Sequence, residues 1–125
     1  MSRSWNCIVI TGASRGFGRA VAISFARQIK GACHFILTGR SLEDLETTQQ
    51  QIEQHRLQNV DTSVTLLSAD LADIQSIESI SDSLFNSSIS KYPERKYSKI
   101  VFINNAGSLG QLKVILVYLC LCWYP

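Results

Sequence analysis

A short apolar run that breaks into a glycine-rich turn constrains this chain more than any other feature of its sequence. Residues 7–10 are apolar and mostly β-branched, which is typical of a strand buried on both faces of a sheet. Three glycines follow in the order Gly-x-x-x-Gly-x-Gly: Gly12, Gly16 and Gly18. Apolar residues then recur at every fourth position: Val21, Phe25 and Ile29. This spacing predicts a helix, and a strand, glycine turn and helix in this order indicate a site for nucleotide phosphates.

Each glycine of the turn has a physical reason to be there. Gly12 allows the backbone to leave the strand at angles that a Cβ resists. Gly16 and Gly18 remove side chains where a pyrophosphate approaches the main chain and where the helix packs close to the sheet. The N-terminus of the helix then offers unpaired N–H groups and its positive dipole end to the phosphates. A tight strand-to-helix turn without a ligand is the alternative, but the flanking strand and helix favour the phosphate site.

The spacing differs from the G-x-G-x-x-G fingerprint and from the P-loop, which ends in Gly-Lys-Ser/Thr. Residues 11–18, Thr-Gly-Ala-Ser-Arg-Gly-Phe-Gly, instead resemble the cofactor turn of the short-chain dehydrogenase/reductase family. Residues 104–110, Asn-Asn-Ala-Gly-Ser-Leu-Gly, extend the resemblance, which covers residues 6 to about 110. Because the turn ends in Gly-Phe-Gly, the chain resembles most closely those family members that reduce a carbonyl on a pterin side chain.

The alternation of strands and helices predicts a Rossmann-type α/β fold, a three-layer arrangement around a parallel sheet. After the first strand, the predicted strands cover residues 34–38, 63–68 and 99–104. The first helix is predicted over 17–30, and Ser41 and Asp73 are the predicted N-caps of the next two. In a strand order of 3-2-1-4, the ends of strands one and four meet at the switch point where ligands bind.

The last part of the chain has a different character. Residues 114–124 form a run of eleven apolar residues that neither alternates nor leaves a polar helical face. The run does not resemble the family, and a bilayer span needs about twenty residues. We therefore expect an NADP-binding Rossmann half-domain over residues 1–110 and an unrelated apolar tail over 111–125. The sheet is then truncated after the fourth strand, which is left without its usual neighbour. A strand or a helix formed by the tail over the exposed sheet is the alternative, and the sequence does not decide between them.

Arginine follows the second predicted strand, where an NAD-binding fold places a carboxylate on the adenosine ribose. The guanidinium of Arg40 is suited to bind the 2′-phosphate of NADP in a bidentate manner, and Arg15 approaches from the glycine turn. A charge-assisted hydrogen bond of this kind contributes about 1.5–3 kcal/mol. The two arginines predict NADP(H) as the cofactor. The alternative is that Arg40 merely belongs to an exposed loop.

The resemblance implies further contacts at the strand ends. Asp70 would accept from the exocyclic amine of adenine, and Leu71 would pack against its ring. Residues 105–107 would contact the ribose on the nicotinamide side, while Asn104 chiefly ties the sheet together. Ordinary loop and turn residues are the alternative for these positions. The candidate cofactor-binding residues are Gly12, Ala13, Ser14, Arg15, Gly16, Phe17, Gly18, Arg40, Ser41, Asp70, Leu71, Asn105, Ala106 and Gly107.

The resemblance also implies hydride transfer to a carbonyl, with a tyrosine as proton donor, a lysine four residues later and an orienting serine. In the family these residues follow the fourth strand, where we find no match, so we name no catalytic residue. Tyr92 and Lys96 have the right spacing but precede that strand, which favours coincidence. The sequence places no serine, cysteine or carboxylate partner beside His34 or His55. We expect this chain alone to be catalytically inactive.

Composition narrows the partners. With 18% charged residues, a net charge of +2 and no basic block, nothing points to nucleic acid or an anionic membrane. The four cysteines lack zinc-site spacing, so we expect no metal and a reduced, cytoplasmic protein. We expect no secretory signal, because the first six residues lead directly into the first predicted strand. The usual family dimer is not expected, because the resemblance places its pairing helices beyond the fourth strand.

Three functions stay open at this point. The first possibility is that the chain is part of an enzyme that reduces a pterin or another small carbonyl compound. The substrate of that enzyme would bind only to a full-length protein. Alternatively, it is a non-catalytic module that binds NADP(H) or a partner chain. The third possibility is a fragment that does not fold stably.

Overall fold

Strands form where the sequence places its β-branched apolar runs, and helices form on the amphipathic stretches between them. The computed structural model describes residues 4–71, 73–84, 91–105 and 119–123. Its elements in chain order are β1 (Ser4–Ile10), α1 (Gly16–Gln28), β2 (Ala32–Gly39), α2 (Leu42–His55), β3 (Thr62–Ser68), α3 (Ile74–Asp82), β4 (Lys96–Ile103) and β5 (Leu119–Trp123). Within the described residues, no helix is long and apolar enough to cross a bilayer, and no cluster of histidine, cysteine and acidic side chains could hold a metal.

The predicted boundaries are correct to within a few residues. α1 ends two residues before the predicted Lys30, because Ile29 leaves the helical region with φ −74° and ψ 121°. β4 begins at Lys96, three residues before the predicted start, and ends at Ile103. Both predicted N-caps are confirmed: the side chain of Ser41 accepts from the Asp44 N–H, and that of Asp73 accepts from the Gln75 N–H.

The sheet has the order β3-β2-β1-β4-β5, so its first four strands have the order that the predicted switch point requires. Both neighbours of β1 run parallel to it, and Ile10 is paired with Leu37 on one side and with Ile103 on the other. The carboxyl ends of β1, β2 and β4 therefore line up along one edge of the sheet, here called the carboxyl edge. The chain reverses its direction of winding between β1 and β4, so that edge contains the switch point.

A fifth strand, formed by residues of the apolar tail, takes the place beside β4, which was expected to lack its usual neighbour. Residues Leu119–Trp123 pair antiparallel with β4, with Ile103 opposite Leu119 and Lys99 opposite Trp123. An exposed strand edge offers a row of unpaired N–H and C=O groups, which any extended segment can satisfy. The absence of alternation in the apolar run gave no warning of this, because alternation marks only strands with one solvated face.

The core lies on both faces of the sheet. On one face, alternate strand residues pack against α1 and α2: Ile8, Ile10, Phe35, Leu37, Val101 and Ile103. On the other face, Cys7, Val9 and Ile36 pack with Leu84. Because β1 and β2 are covered from both sides, their positions are held firmly, and the turn that follows β1 starts from a rigid base.

Candidate functional site

The glycine turn leaves β1 with two residues in the left-handed region of backbone space. Gly12 has φ +66° and Gly16 has φ +63°, values at which an L side chain is strained. A Cβ on Gly16 would meet no heavy atom within 4 Å, so the main chain at this point faces open space. The side chain of Phe17 is 60% exposed beside it. The turn therefore presents bare backbone to solvent, as a phosphate site requires.

Gly18 serves close packing rather than an unusual backbone angle. A Cβ on Gly18 would overlap the carbonyl oxygen of Gly12 and lie 2.8 Å from Nδ2 of Asn105. The first turn of α1 is thus pressed against the end of β1 and against the residue that follows β4. No larger residue fits, which explains the third glycine of the motif.

Thr11 and Asn105 join the glycine turn to the end of β4. The Thr11 N–H donates to the Ile103 carbonyl at 3.0 Å, and the Thr11 hydroxyl donates to Oδ1 of Asn104 at 3.1 Å. The Asn105 N–H donates to the Thr11 hydroxyl at 2.9 Å, and Nδ2 of Asn105 donates to the Gly12 carbonyl at 3.3 Å. The two sequence motifs, which lie far apart in the chain, therefore meet at the carboxyl edge.

Asn104 and Asn105 share a task that the sequence assigned chiefly to Asn104. Both asparagines tie β4 to the glycine turn, because the amide of Asn105 reaches Gly12 directly. The predicted contact of Asn105 with a ribose stays a prediction. Ala106 and Gly107, its predicted companions, lie outside the described residues.

Two arginines flank the turn with exposed side chains. Arg15 is the N-cap of α1, with an extended backbone and no capping hydrogen bond from its side chain, and the first turn of α1 holds no acidic residue. Arg40 follows β2, whose Thr38 carbonyl accepts from the Ala13 N–H at 2.9 Å. In residues 4–71, neither guanidinium forms an ion pair with a described carboxylate. Both cations are therefore open to an anionic ligand.

The remaining predicted residues follow β2 and β3. The hydroxyl of Ser41 is engaged as the N-cap of α2, where it accepts from Asp44 N–H at 3.2 Å. Asp70 is exposed and Leu71 half-buried, directly after β3. The Ala69 N–H donates to the Gly39 carbonyl at 2.8 Å, so the ends of β2 and β3 are held side by side. The structure thus brings the described candidate residues to one edge, and their contacts with a cofactor stay predictions.

These residues fit an anionic dinucleotide. Open main chain at Gly16 and the N-terminus of the 13-residue helix α1 offer N–H donors and a positive dipole end. Arg15 and Arg40 add two permanent positive charges at the carboxyl edge. A ligand with both a pyrophosphate and a further phosphate matches this donor set.

Three residues of the site escaped the sequence reasoning. Thr11 and Thr48 are buried, and Arg19 contacts Thr48 through a hydrogen bond from Nε to Oγ1 of 2.9 Å. Thr48 carries a signal that was available in the sequence, since it is a polar residue on the stripe formed by Leu45 and Ile52. Thr11 and Arg19 directly flank the turn, but no sequence motif or periodicity marks either of them as part of the site.

The opposite edge of the sheet, here called the amino edge, carries a second polar cluster. His34 is buried, with Nδ1 at 2.9 Å from the Tyr97 hydroxyl and Nε2 at 2.7 Å from the Thr65 hydroxyl. Burial, and then the charges of Arg95 and Lys91, lower the pKa of His34 to about 4. His34 is therefore neutral near pH 7, and hydroxyl groups rather than a nucleophile or carboxylate are its partners.

Tyr92 and Lys96 also belong to the amino edge. Lys96 is the first residue of β4 and pairs with Ser4 at the start of β1. The ring of Tyr92 stacks edge-on against His34, with centroids 5.9 Å apart. The tyrosine and lysine thus lie at the end of the sheet away from the glycine turn, which supports coincidence as the origin of their spacing.

Comparison with known proteins places these features in a family context. A family model described as short chain dehydrogenase matches residues 6–116. Sepiapterin reductase of Rattus norvegicus is 32% identical over 107 residues, which is 83% of this chain. The NADP-dependent 3-hydroxy acid dehydrogenase of Schizosaccharomyces pombe is 34% identical over 109 residues, which is 86% of this chain. The chain spans 37% of the length of each of these relatives.

Solved structures show the same fold. L-sorbose reductase from Gluconobacter frateurii, complexed with NADPH and L-sorbose, is 26% identical with a TM-score of 0.54, over 70% of this chain and 31% of its own. An alcohol dehydrogenase from the archaeon Thermococcus sibiricus, complexed with 5-hydroxy-NADP, is 31% identical with a TM-score of 0.51. That alignment covers 67% of this chain and 33% of the dehydrogenase.

Proposed function

This chain belongs to the short-chain dehydrogenase/reductase family, and from that premise we propose that it is the NADP(H)-binding half of a carbonyl reductase. The observation that carries the proposal is the carboxyl edge itself. There, open backbone at Gly16, the N-terminus of α1 and two exposed guanidinium groups occur together. The proposed half-domain covers residues 1–110, and residues 111–125 are proposed as a tail of unrelated sequence, of which Leu119–Trp123 pairs with β4.

The proposed cofactor is NADP(H) rather than NAD(H). Arg40 occupies the place after β2 where an NAD-binding fold has a carboxylate, and a carboxylate would repel a 2′-phosphate. Arg15 supplies a second cation from the turn. NADPH bound to L-sorbose reductase and 5-hydroxy-NADP bound to the Thermococcus alcohol dehydrogenase support NADP(H) use in the family.

The proposed reaction is the reduction of a carbonyl on a pterin side chain, within tetrahydrobiopterin synthesis. The similarity to sepiapterin reductase supports this substrate, and the similarity to a 3-hydroxy acid dehydrogenase supports another small carbonyl compound as the alternative. When bound, the reduced nicotinamide supplies the hydride for such a reaction. The described residues of this chain bind and orient the cofactor, and none is assigned to proton transfer.

Free Cys7 and Cys33 favour a reducing compartment such as the cytoplasm.

Thermal unfolding with NADPH, with NADH and without ligand tests the cofactor proposal. At a free NADPH concentration of 100 times Kd, binding adds about 2.7 kcal/mol to the stability of the folded chain. We expect a rise in Tm of several degrees with NADPH and a smaller rise with NADH at the same concentration. Equal shifts would remove the arginines from the explanation, and no shift with either cofactor would contradict the proposed site.

A second candidate function is a non-catalytic module that binds NADP(H) or a partner chain. It is favoured by the position of Tyr92 and Lys96, the one Tyr-x-x-x-Lys pair of the sequence, at the amino edge. Steady-state oxidation of NADPH in the presence of sepiapterin separates the two functions. We expect cofactor binding without turnover from this chain, and no dimer in sedimentation measurements. Turnover would contradict the inactivity that the sequence predicts.

A further inference from the structure

We propose that Arg19 and Thr48 form a turn clamp, a pair of positioning residues that orients the glycine turn for a pyrophosphate. The inference rests on the proposed function, since it assigns a role at the same cofactor site. Neither residue belongs to the fourteen candidate positions, and neither faces the proposed ligand. Both act from behind the turn, through the carbonyl groups of Ala13 and Ser14.

Thr48 holds the first of these carbonyls. It is fully buried in the middle of α2, and its hydroxyl lies 2.8 Å from the carbonyl oxygen of Ala13. The Ser14 carbonyl and the Asp44 carbonyl are more distant, at 3.5 Å and 3.2 Å. Because a hydroxyl has a single proton, the shortest contact identifies Ala13 as its acceptor. The Thr48 oxygen in turn accepts from Nε of Arg19 at 2.9 Å.

Arg19 holds the second carbonyl. Its Nη2 donates to the Ser14 carbonyl oxygen and to the Asp44 carbonyl oxygen, the latter at 3.1 Å. One guanidinium thus connects the glycine turn, the start of α1 and the first turn of α2. Its planar array of donors is suited to such a task, and a lysine ammonium would not reproduce it.

Because the peptide group is planar, holding a carbonyl in place also fixes the direction of the N–H group on the other side of the same peptide. In a trans peptide the C=O and N–H groups point in opposite directions, and every described peptide bond is trans. With the carbonyls of Ala13 and Ser14 held towards α2, the N–H groups of Ser14 and Arg15 point away from it. The peptide before them differs, because its Gly12 carbonyl accepts from Asn105 and its Ala13 N–H donates to Thr38. The clamp therefore selects which N–H groups of the turn face a phosphate.

The clamp also has an electrostatic consequence. The guanidinium of Arg19 adds a positive charge behind the turn, in a half-buried position where screening is weaker than in bulk water. A pyrophosphate in front of the turn would benefit from that charge without contacting it. A ligand without a pyrophosphate would gain little from either effect.

Matched pairs of variants of the 125-residue chain test the clamp. Thr48→Val replaces the hydroxyl by a methyl group of similar size. Thr48→Ser keeps the hydroxyl and removes only the methyl group. Thr47→Val is the control, because Thr47 is a half-buried neighbour whose hydroxyl donates to the Glu43 carbonyl of the same helix. Arg19→Met removes the guanidinium, with Arg27→Met on the exposed last turn of α1 as its control. The Kd is measured for NADPH and for adenosine 2′-monophosphate, which has the 2′-phosphate but no pyrophosphate.

We expect Thr48→Val and Arg19→Met to weaken NADPH binding about five- to tenfold, the effect of one well-placed hydrogen bond, and to change the Kd of adenosine 2′-monophosphate by less than about twofold. Thr48→Ser and both controls should bind NADPH like the parent chain. If Thr48→Val fails to fold, Arg19→Met decides, because Arg19 is only half-buried whereas Thr48 is fully buried.

Three results would overturn the clamp. Equal weakening of both ligands would show a merely structural role. Failure of the parent chain to bind NADPH would refute the proposed function together with the clamp. Binding by the parent chain with unaltered binding by both variants would refute the clamp alone.

Discussion

The carboxyl edge and the amino edge of the same sheet both carry arginine and hydroxyl side chains, yet they are organised in opposite ways. At the carboxyl edge, Arg15 and Arg40 are exposed and the backbone around Gly16 is open. At the amino edge, the cationic and polar groups face one another. The guanidinium of Arg95 lies between the rings of Trp5 and Tyr92, at 3.9 Å and 3.7 Å from their centroids, and donates to Ser63 at 2.9 Å.

The difference shows how to separate a binding edge from a stabilising edge. Groups that already satisfy one another, as His34 does with Tyr97 and Thr65, contribute to stability and have little left to offer a ligand. At the carboxyl edge, by contrast, the carbonyl groups of the turn are bonded to the protein while the guanidinium groups and the backbone near Gly16 are exposed, so these exposed groups are available to a ligand. Changes at the amino edge should therefore alter unfolding alone, while changes at the carboxyl edge should alter cofactor affinity.

The largest effect is expected from Gly18→Ala, which breaks the carboxyl edge at its tightest contact. The new Cβ would overlap the Gly12 carbonyl oxygen and crowd the Asn105 amide, so the turn and α1 must separate. We expect a loss of about 3 kcal/mol in the free energy of unfolding by urea, together with loss of NADPH binding. Gly31→Ala is the control, because its nearest atom is the movable Asn6 amide at 3.2 Å. Similar losses from both variants would contradict this account.

Arg40→Asp should have the next largest effect, and it bears on affinity rather than stability. Replacing the guanidinium by a carboxylate should weaken NADP binding by roughly ten- to a hundredfold and leave NAD binding nearly unchanged. Titration of both cofactors gives the ratio. Arg27→Asp makes the same change of charge at the far end of α1 and should leave the ratio as it is. An unchanged ratio in Arg40→Asp would exclude Arg40 from the site.

The pH dependence of stability examines the amino edge. Because the pKa of His34 is lowered to about 4 in the folded chain, the unfolded chain binds more protons between pH 6.5 and 4. Stability from this group is therefore complete above pH 6.5 and is lost as the pH falls, by about 2 kcal/mol between pH 7.5 and 5. Urea unfolding at both pH values should show this loss, and His34→Gln should lack it. His55→Gln retains His34 and should keep the loss.

The smallest effect is expected from Arg95→Lys, which retains the charge but removes the planar group between two aromatic rings. We expect a decrease of about 1 kcal/mol in the free energy of unfolding, since the stacking and the bond to Ser63 are both weakened. The Kd for NADPH should not change. Arg27→Lys is the matched control on an exposed helix end. A weakened cofactor affinity in Arg95→Lys would contradict the separation of the two edges.

Much of the fold was predictable because its signals are local. Apolar runs, helical spacing and the caps Ser41 and Asp73 each involve residues within a few positions of one another. The candidate site was predictable in outline for a related reason, since glycines and arginines at strand ends mark the carboxyl edge of a parallel sheet. The distant partners of His34 and Thr48 were not predictable, because they are 29 to 63 positions away in the sequence. The sequence left a strand and a helix open for the tail, because an apolar run without alternation specifies neither its conformation nor the strand that it pairs with.

The sequence by itself determined the strand–turn–helix unit and the cationic character of one edge, since short-range sterics and hydrophobic periodicity are sufficient for these. The tertiary structure alone decided which groups at each edge satisfy one another. Pairing of β1 with β2 and β4 sets the register that brings Asn105 to Gly12, and packing of α2 against α1 brings Thr48 and Arg19 to the turn. Hydrogen bonds act over about 3 Å, and only a folded chain brings such distant residues to that separation.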